Sequence, residues 1–328
     1  MTAFLVNAIN ISLVFLYGCV GETVTEKSGH LNLGIPGIMC MGTLGGSCGV
    51  AIYMNGLQDV GSASMILLLL STLFFAMLFA AAGGLIYAFL TVTLRCNQNI
   101  TGLAITTFGE GITDFFMAEI DKTHFTAASN LLRGSLLDAF PALERLGWFG
   151  EIFLSHGILL YIGIALAVVT ALVLRKSRMG LNLRAVGESP ATADAAGINV
   201  TAYKYGAILS GAAIAGLGGL FYVMDSAAGS WENSSTISAF GWLAIALVIF
   251  AVWQPDIAIF GSFVFGLLYV FGSYSSLFGI ITSLAGRELL KLLPYVITII
   301  VLIVTSIAGK KETQPPASLG LNYFREER

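Results

Sequence analysis

The stretch "SASMILLLLSTLFFAMLFAAAGGLIYAFLTVTL", residues 62–94, decides the fold class. It contains no Asp, Glu, Lys or Arg and is far longer than the ~20 apolar residues that cross a bilayer as a helix. A segment apolar on every side needs lipid or a deep core around it rather than water. The pair Gly83-Gly84 leaves two divisions open, one long tilted helix or two shorter elements broken there.

Working outward, similar runs fall at 3–21, 31–54, 99–118, 152–174, 205–224, 237–253, 256–273 and 288–308. The composition agrees: of 328 residues, 56% are hydrophobic and 11% charged, with a mean hydropathy of +0.85, whereas a soluble domain carries about a quarter charged residues. The expected fold is an all-α polytopic membrane protein of about nine or ten membrane segments, with one membrane domain over 1–309 and a tail over 310–328. A lipid bilayer is therefore its solvent. With a net charge of −3 and no long basic block, no nucleic acid partner is expected. Cys19, Cys40, Cys48 and Cys96 lack metal-ligand spacing and read as packing groups. "LYGC" at 16–19 resembles a lipoprotein cleavage box, but the first fifteen residues offer no Lys or Arg for a signal-peptide n-region, so it reads as the end of a first span.

Orientation follows from loop cations. Residues 175–204 hold Arg175, Lys176, Arg178, Arg184 and Lys204 against Glu188 and Asp194, and Lys310-Lys311 follow the last span. Both places are expected in the cytoplasm, with the 119–151 loop outside and the Gln254-Pro255-Asp256 turn inside. The side of the N-terminus depends on how 62–94 divides and stays open.

Two segments are rich in small residues. Ala207, Gly211, Ala215 and Gly219 recur every fourth position and form a helix face that lets a neighbouring backbone approach closely. "GHLNLGIPGIMCMGTLGGSCG", 29–49, adds Pro36 and Asn32 to seven glycines. It reads either as an unwound element lining a solute path or as a close-packed continuous helix.

The polar insert "LRAVGESPATADAAGINVTAYKY", 183–205, carries a complete short helix. Ser189 suits the N-cap and Pro190 the first helical position, while Gly197 supplies the left-handed residue that stops it. So short a helix needs a surface to lie against. It lacks the bulky apolar face of an interfacial helix, and its flat alanine face suits a groove in another protein.

These residues also resemble a family. "RMGLNLRAVG" (178–187), "GESPATADAAGI" (187–198) and "LSGAAIAGLGGLF" (209–221) resemble the coupling region of ABC importer permeases of the branched-chain amino acid and simple-sugar class. "TEKSGHLNLGIPGIM" (25–39) is similar to that class's glycine-rich second segment, "AFGWLAIALVIFAVWQP" (239–255) to a later span-and-turn motif, and "LGLNYFREER" (319–328) to the ending of the nucleoside-transport branch. The resemblance implies a non-catalytic subunit of a bacterial inner-membrane importer. A second homologous permease, a cytoplasmic ABC ATPase that uses ATP and Mg, and an extracytoplasmic substrate-binding protein would be its partners. It further implies that the short helix is a coupling helix, with Glu188, Ser189, Pro190, Ala191, Ala195 and Gly197 carrying the ATPase contact. A nucleoside is the expected cargo, with riboflavin or a simple sugar as alternatives.

"TTFGEGITDFF", 106–116, departs from the family pattern by carrying Glu110 and Asp114. They lie one helical turn apart on a shared face, and an ionisable group inside a span is a functional candidate because it costs several kcal/mol at the centre. Glu110 with Thr106 or Thr107 is expected to line the solute path, and Asn32, Gly34, Gly37 and Asp114 join this set; the bland alternative gives the acids an internal partner or an interfacial position. The chain has no "GxxxxGK[ST]" loop, no HExxH zinc motif around His30, His124 or His156 and no GxSxG elbow. No cofactor or metal site is expected on it, and energy must come from a partner or a gradient. An ion-coupled secondary transporter, with Glu110 and Asp114 as coupling acids, is the competing class. Trp231, Glu232 and Asn233 sit in an outer loop where a docking protein or the membrane interface could meet them.

Overall fold

The computed structural model describes residues 2–135, 147–275, 283–308 and 314–324. Lys310-Lys311 lie outside them. The described residues contain helices and no strand, as backbone groups in lipid require. In chain order the helices are α1 (Thr2–Glu26), α2 (Ile35–Asn55), α3 (Met65–Ala88), α4 (Gln98–Glu119), α5 (Phe125–Leu132), α6 (Trp148–Phe153), α7 (Ile158–Lys176), α8 (Arg178–Glu188), α9 (Pro190–Ala195), α10 (Val200–Phe221), α11 (Ser235–Phe250), α12 (Pro255–Tyr274), α13 (Leu284–Leu290) and α14 (Leu293–Ala308).

Every apolar run has its helix. Six are long and apolar enough to cross a membrane, with α3 continuing through a π-turn to Thr93 and α10 to Ser226. Gly83-Gly84 does not break α3. Its neighbours there are the Met41 side chain and the Ala212 methyl, so the pair admits close packing along one continuous helix. α11 is shorter, and α4 carries Glu110 and Asp114 along its length.

α1, α2 and α10 form the centre, and α3, α4, α7, α11 and α12 pack around them. Small residues set the spacing. Gly211 and Ala215 face Gly21 of α1, while Gly219 faces the Met39 carbonyl of α2, so the four-residue stripe is a packing face. The glycine-rich segment divides differently from its appearance in sequence. Only residues 27–34 leave the helix, and α2 then runs unbroken through Gly37, Gly42, Gly45 and Gly49, which meet α4, α10 and α3 backbones, and Gly46, which meets the Leu220 side chain of α10. The lipid-facing periphery is apolar, with Leu70 and Phe74 on α3 and Val169 and Leu172 on α7 exposed.

With α3 a single helix, the N-terminus lies at the end of the bundle opposite the Lys- and Arg-rich one. Asn7 near the start of α1 donates to the Tyr274 hydroxyl at the end of α12 (2.6 Å), and Asn10 donates to Asp225 at the end of α10 (2.9 Å). The other end of α1 meets Trp253 in the α11–α12 turn. That end collects Lys27, Arg95, Arg175, Lys176, Arg178, Arg184 and Lys204, and the loop-cation rule predicts the cytoplasmic side for a basic end. Ala3→Cys should therefore react with an impermeant maleimide on intact cells in a cysteine-free background, and Ala196→Cys only after permeabilisation. The reverse pattern would invert this topology.

Candidate functional site

At the basic end, α8, α9 and the start of α10 form the polar insert. Ser177 caps α8 by accepting from the Gly180 amide (3.0 Å), and Ser189 ends α8 while its hydroxyl accepts from the Thr192 amide (3.4 Å) to start α9. Gly197 has φ +83, and the amides of Ile198 and Gly197 donate to the carbonyls of Ala193 and Asp194 (3.0 Å each). This is the paired pattern in which a left-handed residue closes a helix. Ala193 alone is buried on α9, clustering with Val186 and Val200, while Ala191, Thr192, Ala195 and Ala196 face outward. The helix is thus fixed from one side and presents an unobstructed small-residue face on the other.

The insert is braced from below. A Cβ on Gly187 would strike the Lys27 carbonyl, and the Gly187 carbonyl accepts from the Ser318 amide (3.0 Å). Gly320 donates to the Gly29 carbonyl (3.1 Å), and Tyr323 donates to Asp194 (2.9 Å). Burial pulls the Lys27 ammonium below its ordinary range, and Glu188 beside it acts in the opposite sense. On the far side Arg175 bonds Gln254 (2.6 Å) and Asp256 (2.7 Å), joining α7 to the α11–α12 turn. Both partners are substantially exposed, so the pair adds at most ~1 kcal/mol.

Sequence reasoning ended the first span at residue 21 and so missed a second brace. The helix continues, burying Glu22 and Glu26 one turn apart. Glu22 accepts from the Asn32 amide (2.9 Å) and Glu26 from the Trp253 indole, which holds the 27–34 loop and the α11–α12 turn to the end of α1. The readable signal was a pair of acids at helical spacing against an apolar run.

Inside the bundle, α2, α4 and α11 share a polar seam. Asn32 accepts from the Gly34 amide (2.9 Å) just ahead of α2, Gly34 abuts Ile105, and a Cβ on Gly37 would strike the Ile105 carbonyl. Thr106 donates to the Leu33 carbonyl (2.8 Å). Further out, Ser238 donates to Glu110, and Ser234 donates to Asp114 through both its amide (2.9 Å) and its hydroxyl (2.7 Å). Asp114 thereby places a carboxylate at the N-terminus of α11, where the helix dipole favours it. Asn32, Gly34, Gly37, Thr106, Glu110 and Asp114 thus fall along one line. Thr107 does not, because it is exposed and turns back to the Leu103 carbonyl (3.2 Å). Glu110 is half-buried and Asp114 exposed.

In the outer loop Trp231, Glu232 and Asn233 line a cavity of about 270 Å³ with Tyr222 and Thr236.

The chain is similar to known proteins along nearly its whole length. A nucleoside ABC transporter permease of Lactococcus lactis is 30% identical over 98% of this chain and 96% of its own, and a guanosine ABC transporter permease of Bacillus subtilis is 29% identical over 94% and 92%. A protein of Haloferax volcanii named as a glucose ABC transporter permease is 29% identical over 99% and 98%. The family described as "Branched-chain amino acid transport system / permease component" matches residues 4–302. A membrane-embedded, multi-pass bundle with this near-complete match is an ABC transporter permease, and the chain belongs to that family.

Proposed function

We propose that this permease is one of two similar membrane subunits of an importer in a bacterial cytoplasmic membrane, that it moves a nucleoside, and that its force arrives through α9. A separate ATPase, using ATP and Mg, docks on the face formed by Glu188, Ala191, Ala195 and the Gly197 stop, and a substrate-binding protein delivers solute to the opposite end. The observation that carries this reading is α9 itself, doubly capped, seated by Ala193 and open on its outer face. The nucleoside and guanosine relatives support the cargo, while the glucose relative keeps a simple sugar as the alternative. The path runs beside the α2–α4–α11 seam, along the α4 face where Glu110 and Asp114 reach the surface; there Glu110 accepts hydrogen bonds from polar solute, and Thr106, buried and bonded to Leu33, supports the wall.

The test is reconstitution in vesicles with labelled guanosine, riboflavin and glucose in parallel. Concentrative guanosine uptake is expected only when the ATPase, the second permease and ATP are present. Uphill uptake by this chain alone, driven by a proton or sodium gradient, would make it a secondary transporter. A Glu110→Gln variant with unchanged KM would remove Glu110 from the path.

A further inference from the structure

Between the end of α3, the first turn of α10 and residues 318–324 lies a cavity of about 420 Å³ at the basic end, apart from the α2–α4–α11 seam. His30, Arg95, Asp194, Asn199, Lys204 and Tyr323 line it. Lys204 is 3% exposed, and among the described residues its ammonium has neither a hydrogen bond nor an ion pair. A buried cation is costly unless a counter-charge reaches it. His30 is 1% exposed, and both its ring nitrogens lack a hydrogen-bond partner of good geometry.

Two further features favour an anion. α10 is a 22-residue helix that starts at this wall, so the amides of Val200 and Thr201 point their positive ends toward it while Asn199 caps Ala202 (3.0 Å). Arg95, held at φ +55 with Phe324 stacked 4.8 Å from its guanidinium, adds a fixed cation. Among the described lining residues one carboxylate stands against these, Asp194, which accepts from Tyr323. Burial, and then Lys204, hold the His30 imidazole down to about 3, so it enters as a neutral hydrogen-bond donor.

We infer that this cavity binds a phosphate-bearing small anion of roughly nucleoside monophosphate size, with Lys204 and Arg95 on the phosphoryl oxygens and His30 and the first-turn amides of α10 completing the shell. The volume suits an organic phosphate, since small-molecule pockets begin near ~300 Å³. Because Asp194 and Gly197 belong to α9 and its exit, such an anion ties the short helix to α3 and to the 318–324 segment.

The experiment uses the full-length protein in phosphatidylcholine nanodiscs, titrated with labelled guanosine 5′-monophosphate. Saturable binding is expected, competed by inorganic phosphate and not by guanosine. Lys204→Met should weaken it about tenfold or more, and Lys204→Arg should retain it. Arg95→Asn, which tolerates the left-handed backbone and lies outside the helices, should weaken it about fivefold and guards against misfolding of the Lys204 variant. Weakened nucleotide binding in phosphatidylglycerol nanodiscs, with the residual binding lost in Lys204→Met, would identify a lipid phosphate as the natural occupant of the same site. Absence of saturable phosphate or monophosphate binding, undiminished affinity in both Lys204→Met and Arg95→Asn, or full competition by guanosine would each overturn the inference. The assay contains no ATPase and no solute gradient, so its failure leaves the transport reading standing.

Discussion

Gly42→Leu is expected to abolish accumulation of the folded protein, read as loss of the monodisperse peak when a fluorescent fusion is run on size exclusion. A Cβ at Gly42 would collide with the Cα, carbonyl carbon and carbonyl oxygen of Gly216, so α2 and α10 touch backbone to backbone. On its other side Gly216 meets the Ala80 methyl of α3, and Ala76 and Ala80 are wholly buried. No side chain at this three-helix crossing can rotate away, and one of the helices must move. Overpacking by a few methylenes costs about 1–3 kcal/mol where side chains yield; a backbone collision offers no such relief, and packing is the main force between helices in lipid. Gly206→Leu and Gly111→Leu supply the control, because a Cβ at either meets nothing within 4 Å. Both should run like wild type. A Gly42→Leu protein that does so too would show that this crossing is looser than its geometry.

What could be read from the sequence was whatever local chemistry specifies. The caps of α9 depend on residues within one turn of each other: Ser189 and Pro190 take the positions their side chains dictate, and Gly197 the left-handed position that the absence of a Cβ allows. The membrane class and the packing role of the Gly211 stripe follow from solvent and volume alone. Contacts decided by tertiary approach were invisible. Nothing near Glu110 in the chain announces Ser238, nothing near Glu26 announces Trp253, and Lys204 and His30 meet only because the 27–34 loop returns beneath α10. The glycine-rich segment misleads in a different way: glycine weakens an isolated helix, yet here Gly37, Gly42, Gly45 and Gly49 let α2 pack directly on the backbones of its neighbours.

The second large effect concerns α9. Ala195→Arg is expected to leave the purified permease folded and yet to lower ATP-driven uptake by about two to three decades in the reconstituted assembly. Ala195 is exposed and one turn from Ala191 on the outward face, while the seat of the helix is Ala193 against Val186 and Val200. The bundle therefore tolerates a long side chain there, whereas a partner groove shaped to a flat alanine face does not. An unpaired guanidinium forced into a desolvated contact costs on the order of 3–5 kcal/mol, and about 1.4 kcal/mol is tenfold in occupancy. Gly197→Val provides the complementary perturbation. Its backbone sits at φ +83 with open space around it, so the added side chain strains the helix stop without clashing, at about 1–2 kcal/mol for a residue held in the left-handed region, and uptake should fall by roughly tenfold rather than to background. The ranking is diagnostic, because a defect of the helix itself would make the strained stop worse than the exposed arginine, and a defect of docking reverses that order. Normal ATP-driven uptake by the Ala195→Arg protein would mean that force enters this permease somewhere other than α9.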